Sequence, residues 1–357
     1  MRILHVITSL RTGGAEKLMV DLLPRLRDLG HEVELVVFDG VRTPFFEDLE
    51  KKGISIHTLR IGGSVYHPGN LFKLIPYLRR FDCIHTHNTA PQLFAALSHL
   101  FARKCKLVTT EHNTTNRRRD MKGMVYIDRW MYRQYRKVIC ISDQAEENLR
   151  RYLKDDSGKI CTIYNGVDIR KYQNAQPIEE IRKQYEGCKL GIMVSAFRAQ
   201  KDQKTLIQAY KELPDNYHLL LAGTGDLEDE CKELVQSLGL AQRIHFLGMR
   251  TDVPQLLHTA DVVVLSSHYE GLSLSSIEGM ACGNPFIATD VDGLREIVSG
   301  SGVLVPHEDA KTLAGEIKKL SENAEYREKI LTLCQEKAKM YDIATMAEKY
   351  NNIYKQL

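Results

Sequence analysis

The sequence predicts an α/β chain made of two doubly wound halves. Short apolar runs alternate with amphipathic segments along its length, which implies parallel strands joined by right-handed helical crossovers. The alternation pauses once, over 165–188, and then restarts. At 357 residues the chain also exceeds the ~250–300 residues at which a single core stops growing.

In the first half, strands are predicted at 2–7, 33–38, 54–58, 83–86, 106–110, 137–141 and 160–163. Helices are predicted between them, at 15–29, 70–80, 90–101 and 143–153. The opening run "MRILHVITSL" has one basic residue and no small-residue cleavage site, so it reads as the first strand and not as a secretory signal. Residues 165–188, rich in turn formers, read as a linker. The second half has strand patterns at 189–195, 217–222, 243–247, 261–265, 285–289 and 302–305, and only helical patterns from 309 onward. The expected domains are 1–168 and 169–340.

Hydrophobic residues make up 43% and charged residues 27%, an ordinary soluble balance. None of the eight cysteines forms a C-x-x-C pair, so they read as buried free thiols in a reducing compartment. No run reaches the ~18 apolar residues of a membrane span, and the expected location is the cytoplasm. Net charge is +3, but residues 1–165 hold 27 Lys+Arg against 18 Asp+Glu and the remainder 22 against 28. Arg117, Arg118, Arg119, Lys122, Arg129, Arg133, Arg136 and Lys137 concentrate the positive charge. They read either as a solvated helical face or as a contact for anionic headgroups or a phosphorylated acceptor. No nucleic-acid partner is expected.

In doubly wound sheets ligands sit at the carboxyl ends of the strands, so the polar residues there are the candidate site. After the first strand, Gly13 and Gly14 let backbone approach a ligand at a helix start, or simply make a tight turn. "HTHN" (His85 to Asn88) and "TEHN" (Thr110 to Asn113) end two successive strands, bringing His87 and His112 to one sheet edge. The H-x-H pair has no carboxylate or Cys at familiar metal-ligand spacing. In the second half Arg198 and Lys201 follow the first strand, just before a helix start at Asp202, a placement suited to a diphosphate. Gly223-Thr224-Gly225 is an incomplete G-x-G-x-x-G, weak by itself.

The most informative stretch is "ADVVVLSSHYEGLSLSSIEGMACGNP". A buried strand delivers Ser266 to Glu270 to the rim, Gly271 frees the backbone, and a helix starts near Ser273 or Ser275 and carries Glu278. N–H groups at Gly271, Leu272 and Ser273 make an anion site, flanked by two carboxylates able to accept from vicinal hydroxyls. A nucleotide sugar has that layout: ribose, diphosphate, hexose.

With "TGGAE", "EHN", "NGVD", "FRAQK", "GTGD", "FLG" and "TDVDGLREIV" in the same order, the chain resembles the retaining glycosyltransferases of family 4, which have the GT-B fold of two Rossmann-like domains facing across a cleft. The resemblance covers nearly the whole chain, and its most specific element is Glu270-x7-Glu278. It implies that Glu278 holds the ribose, Glu270 the donor sugar, and Arg198 and Lys201 the diphosphate, with backbone at Gly271 to Ser273 and near Gly14. His112 would touch the sugar near the reacting carbon. Lys204 competes with Lys201 for the clamp, since many relatives space the two cations wider, and Asp292 stands where glycine is usual. The resemblance further implies an acceptor-binding first domain, a nucleotide-sugar-binding second domain, and a final helix, 341–357, crossing back onto the first.

The expected activity is transfer of a hexose, with retention, from a UDP-sugar to a glycan or lipid-linked acceptor of bacterial surface polysaccharide synthesis, at the inner face of an anionic membrane. The donor is a substrate and no cofactor is expected. Asp290-Val291-Asp292 is a D-x-D, but metal independence is expected. Three rivals stand beside this reading: a hydride-transfer enzyme, disfavoured by the missing G-x-G-x-x-G, a nucleotide-sugar 2-epimerase, and a non-catalytic nucleotide-sugar binder.

Overall fold

The computed structural model describes the chain except residues 12, 60–63 and 113–116 and the side chains of residues 117 and 120. Thr12 of the glycine turn, Asn113 of the E-H-N element and the Arg117 side chain therefore lie outside the described residues. The chain forms two compact units, Met1–Gly166 with Ile343–Leu357, and Val167–Asp342.

The first unit contains a parallel sheet of seven strands: β1 (Arg2–Ile7), β2 (Glu32–Val37), β3 (Ser55–Thr58), β4 (Cys83–His87), β5 (Lys106–Glu111), β6 (Lys137–Cys140) and β7 (Ile160–Thr162). Its order is β3-β2-β1-β4-β5-β6-β7. Burial on both faces explains the apolar runs of inner strands such as β1 and β2, whereas the edge strand β3, Ser55–Thr58, is exposed or half-buried along its length. One face carries helices Gly14–Asp28, Pro44–Lys51 and Ile343–Lys355, and Leu18, Leu22, Ile343 and Met346 share that core. The other face carries helices including Gly69–Arg80, Thr89–His99 and Met124–Arg133, which contribute Leu74, Phe94 and Met131. The last helix buries Ile343, Met346, Tyr350 and Tyr354 almost completely, each apolar side chain stabilising by about 2 kcal/mol.

The second unit holds six parallel strands: β8 (Lys189–Val194), β9 (Tyr217–Ala222), β10 (Ile244–Gly248), β11 (Val262–Leu265), β12 (Phe286–Thr289) and β13 (Val303–Val305). Their order is β10-β9-β8-β11-β12-β13. All thirteen strands lie within one residue of their predicted ends.

The supposed linker contains two short helices, Ile169–Gln173 and Glu179–Gln184. Asp168 caps the first through the Lys171 amide at 3.4 Å. The second has Glu179 and Glu180 in its first turn and Arg182 and Lys183 in its last, matching the helix dipole, and Arg182 is anchored to Asp261 at 3.2 Å. Segments this short have too few residues to show a helical period.

Strand order reverses once in each sheet, between β1 and β4 and between β8 and β11. At such a switch point the adjoining connections leave to opposite faces and open a crevice at the carboxyl ends. Most of the predicted site residues follow these four strands; His112 follows β5 and Gly223 follows β9, each next to a switch-point strand.

Candidate functional site

In the second unit, Arg198 and Lys201 follow β8, and Glu270 follows β11. The two connections are tied together across the switch point. Asp202 N–H donates to Ser266 O at 3.1 Å, and His268 N–H to Gln200 O at 2.9 Å. Lys201 and Ser267 form an antiparallel bridge. Lys201 Nζ pairs with Glu270 Oε1, the two side chains being 14% and 6% exposed. Glu270 also accepts from Ser267 Oγ at 2.8 Å and Gln200 Nε2 at 2.9 Å. Ser267 lies in the stretch the sequence placed at the rim; Gln200 was not singled out, because an amide side chain has no periodic or spacing signal. Lys204, the competing cation, pairs with Glu230 at 2.7 Å on the exposed side of its helix. The Arg198 side chain is exposed and has no charged partner among the described residues.

Glu278 lies on helix Leu274–Ala281, and its side chain is buried. Ser273 caps that helix, accepting from the Ser276 amide at 3.4 Å. The remaining N–H groups of a first turn have no partner within their own helix, so this terminus after Gly271 and Leu272 favours an anion. The surrounding loops approach too closely for side chains. A Cβ on Gly223 would lie 2.0 Å from Ser195 O, and one on Gly293 would lie 2.4 Å from Glu270 O. Both have positive φ, 143° and 83°.

The D-x-D carboxylates pair with Arg295, Asp290 at 2.6 Å and Asp292 at 3.3 Å. The Glu270 amide donates to Asp292 O at 3.2 Å, so the residue standing in place of the usual glycine supports the Glu270 loop through its backbone.

In the first unit, Gly13 caps helix Gly14–Asp28 in an extended conformation. The Glu16 carboxylate folds back to within 2.2 Å of where a Gly13 Cβ would stand, and burial raises its pKa. An acidic side chain thus already covers this helix start.

His112 belongs to a buried chain of imidazoles. His112 Nε2 lies 2.9 Å from His87 Nδ1, and His87 Nε2 lies 3.0 Å from His5 Nδ1. Tyr354 Oη lies 3.4 Å from His5 Nε2 and 2.6 Å from His85 Nδ1. His85 Nε2 reaches Thr110 Oγ1 at 2.8 Å, and Thr110 meets Tyr350 Oη at 3.1 Å. Burial lowers the pKa of His112 to about 4 and of His5 to about 3, and takes His85 and His87 well below the ordinary value. All four are neutral at pH 7, each able to donate once and accept once.

Burial keeps the Tyr354 hydroxyl protonated. A proton order running either way satisfies these contacts: when Tyr354 donates to His85, the protons of His5, His87 and His112 sit on Nε2, and when His85 donates to Tyr354 they sit on Nδ1. His112 Nδ1 is buried and has no hydrogen-bond partner among the described residues. The H-x-H histidines are thus joined by hydrogen bonds to residues from both ends of the unit's chain. Glu111, beside His112, accepts from Arg119 at 3.1 Å, from Tyr132 at 2.5 Å and from Gln92.

That Arg119 contact corrects the reading of the basic cluster as one solvated face. Arg119 and Glu111 are both about one-tenth exposed, and Arg118 pairs with the buried Asp128 at 3.0 Å. Counting charge along the chain could not reveal acids from neighbouring elements. Helix Met124–Arg133 does expose Tyr126 and Ile127, at 72% and 52%. No helix among the described residues is long and apolar enough to cross a membrane.

The glycosyl transferases group 1 model matches residues 175–332, and the glycosyltransferase family 4 model matches residues 12–171. A UDP-Gal:α-D-GlcNAc-diphosphoundecaprenol α-1,3-galactosyltransferase of Escherichia coli is 24% identical over 71% of this chain and 70% of that protein. An N-acetylgalactosamine-N,N'-diacetylbacillosaminyl-diphospho-undecaprenol 4-α-N-acetylgalactosaminyltransferase of Campylobacter jejuni is 24% identical over 96% of this chain and 97% of that protein. Among solved structures, the HepE protein of Anabaena in complex with UDP aligns with a TM-score of 0.88 at 23% identity, covering 100% of both chains. The same protein has been solved with UDP-glucose.

Proposed function

The chain belongs to the family 4 glycosyltransferases of GT-B fold, and on that premise we propose that it transfers a hexose, with retention, from a UDP-sugar to a lipid-linked glycan. The observation carrying this is the grouping at the β8/β11 switch point: Lys201 on Glu270, beside the capped helix that holds Glu278. The UDP complexes of HepE and the diphosphoundecaprenol acceptors named for two relatives support the choice of donor and acceptor.

In this reading Glu278 accepts from the ribose hydroxyls and Glu270 from the sugar. Arg198, Lys201, the Gly223 loop and the amides at Gly271, Leu272 and Ser273 hold the diphosphate. Negative charge grows on the departing phosphate as the glycosidic bond breaks, and these fixed groups stabilise it without reorganising. A charge-assisted hydrogen bond is worth about 1.5–3 kcal/mol, so two or three would supply several powers of ten in rate. The acceptor hydroxyl attacks from the face the phosphate leaves, and the phosphate takes its proton. His112 contacts the donor sugar through its Nδ1.

Protein cations alone neutralise the diphosphate in this scheme, so Asp290→Asn and Asp292→Asn retain turnover, whereas ligation of a catalytic ion by the D-x-D would abolish it in both. Tyr126 and Ile127 insert at the bilayer surface next to Arg133, placing the first unit at its lipid-linked acceptor.

The test is UDP release from a panel of UDP-hexoses, with and without diphosphoundecaprenol-linked sugars, and proton NMR of the product's anomeric centre. Acceptor-dependent UDP release with a retained linkage is expected. Donor binding without turnover, or conversion of the donor without transfer, would favour the rival readings. Glu278→Ala should weaken UDP binding tenfold or more, and Glu270→Ala should mainly lower kcat. Unchanged UDP affinity in Glu278→Ala would remove the ribose assignment.

A further inference from the structure

At the carboxyl edge of the second unit's sheet, His268 follows β11 and His307 and Glu308 follow β13. We infer that His268 Nδ1, His307 Nε2 and Glu308 Oε1 form a site for a divalent transition ion, of which Zn²⁺ is the best chemical match. This rests on these side chains alone and not on the transferase reading.

The three donor atoms surround one point. His268 Nδ1 lies 2.7 Å from His307 Nε2 and 3.6 Å from Glu308 Oε1, and His307 Nε2 lies 3.9 Å from that oxygen. The two distances to Glu308 exceed hydrogen-bond length. Two ligands at about 2.0–2.2 Å from a tetrahedral ion stand roughly 3.3–3.6 Å apart. The two imidazoles, hydrogen-bonded to each other here, must part by roughly 0.6–0.9 Å to match. Two nitrogens and one carboxylate oxygen suit zinc better than calcium or magnesium, which prefer all-oxygen shells.

The backbone and the neighbours support the assignment. Glu308 adopts φ 58°, a conformation uncommon outside glycine. Asp202 completes the set. It is 3% exposed, and its Oδ2 has no hydrogen-bond partner among the described residues. Its Oδ1 lies 4.0 Å from His268 Nε2, and a ligand atom from each of Asp202, His268 and His307 falls within 4.8 Å of the others. A metal-bound imidazole commonly gives its second N–H to a carboxylate, which fixes its tautomer. With the ion on Nδ1, His268 Nε2–H is turned to the Asp202 side, and at 4.0 Å the pair would have to close by about 1 Å to make that hydrogen bond. His268, His307 and Glu308 are 34%, 37% and 63% exposed, so an ion can enter and keep a water in its fourth position. The ion would fasten the segment two residues before Glu270 to the turn after β13, and no reaction step runs through it.

The test uses tag-free full-length protein, stripped with chelator and titrated with Zn²⁺ by equilibrium dialysis. Co²⁺ serves as a visible probe of coordination. We expect one saturable equivalent and the intense d–d bands of a four-coordinate Co²⁺ site, with affinity falling at least tenfold in Glu308→Gln and further in His307→Ala. Both positions are solvent-facing, and equal metal-free melting temperatures would show that the variants fold. His87→Gln, altering the buried histidine chain of the first unit, should keep the same affinity. Absence of saturable binding, or binding unchanged in both His307→Ala and Glu308→Gln, would overturn the site.

Discussion

Lys201 and Glu270, 69 residues apart in sequence, form an ion pair that is 14% and 6% exposed. Removing one partner of so buried a pair leaves the other charge without compensation, at a cost of about 3 kcal/mol. Lys201→Met should therefore lower the urea midpoint as well as turnover. Glu270→Gln keeps one acceptor oxygen for Ser267 or Gln200 and leaves Lys201 without a counter-charge, so it too should lower both turnover and the urea midpoint. Equal stability of Lys201→Met and the parent would mean that the pair does not persist in solution.

The cations near β8 should separate by role. Arg198→Ala and Lys201→Ala each remove a fixed positive charge from the leaving-group site and should slow UDP release on the order of a hundredfold. Lys204→Ala breaks only the half-exposed pair with Glu230, worth less than about 1 kcal/mol, and should turn over normally. The opposite ranking in steady-state kinetics would put the phosphate clamp on Lys204.

Glycines in the loops can be ranked by the space around them. Gly239 has φ 71° and nothing within 4 Å of an added Cβ, so Gly239→Ala should cost only the backbone term of about 1–2 kcal/mol. Gly293→Ala meets Glu270 O at 2.4 Å as well. It should destabilise more and weaken UDP binding by displacing the Glu270 loop. Denaturant melts and UDP titrations of both variants would decide; equal losses would refute the ranking.

The neutral histidines make stability fall in mild acid. Burial lowers the folded-state pKa of His112 to about 4 and of His5 to about 3, whereas the unfolded chain takes up these protons near pH 6.5. Between those limits the unfolded state binds more protons, so stability is greatest above pH 6.5 and declines toward the folded values. From pH 6.5 to 5 each such imidazole costs about 2 kcal/mol. Urea midpoints at pH 7.5, 6 and 5 should decrease in that order, and a flat profile would contradict the neutral assignment.

Tyr354→Phe keeps the ring and deletes the hydroxyl between His5 and His85. It should cost about 1–3 kcal/mol, the price of unsatisfied buried nitrogens. It should also disturb kcat, because it cuts the link that couples the proton positions of His85 and His112. NMR of the imidazole nitrogens should show one tautomer of His112 in the parent and a mixed population in the variant. The same single tautomer in both would show that Tyr354 does not set it.

Strand positions were legible because strands buried on both faces leave continuous apolar runs in the chain. Glu270 and Glu278 were legible for a related reason: a strand end, a glycine and a helix start lie within a dozen consecutive residues, so local rules place them. The short helices at Ile169–Gln173 and Glu179–Gln184 were not legible, being one turn or so long and held by a cap and by Asp261.

Local chemistry thus settled the strand–helix alternation and which polar residues stand at strand ends, since periodicity and capping act over a few residues. Folding alone decided which lysine meets Glu270, which arginines are spent on internal acids, and that Tyr354 joins His5 to His85 in one buried hydrogen-bonded chain. Those outcomes depend on side chains tens to hundreds of residues apart meeting in low-dielectric surroundings, where geometry to a few tenths of an ångström governs charge and proton position.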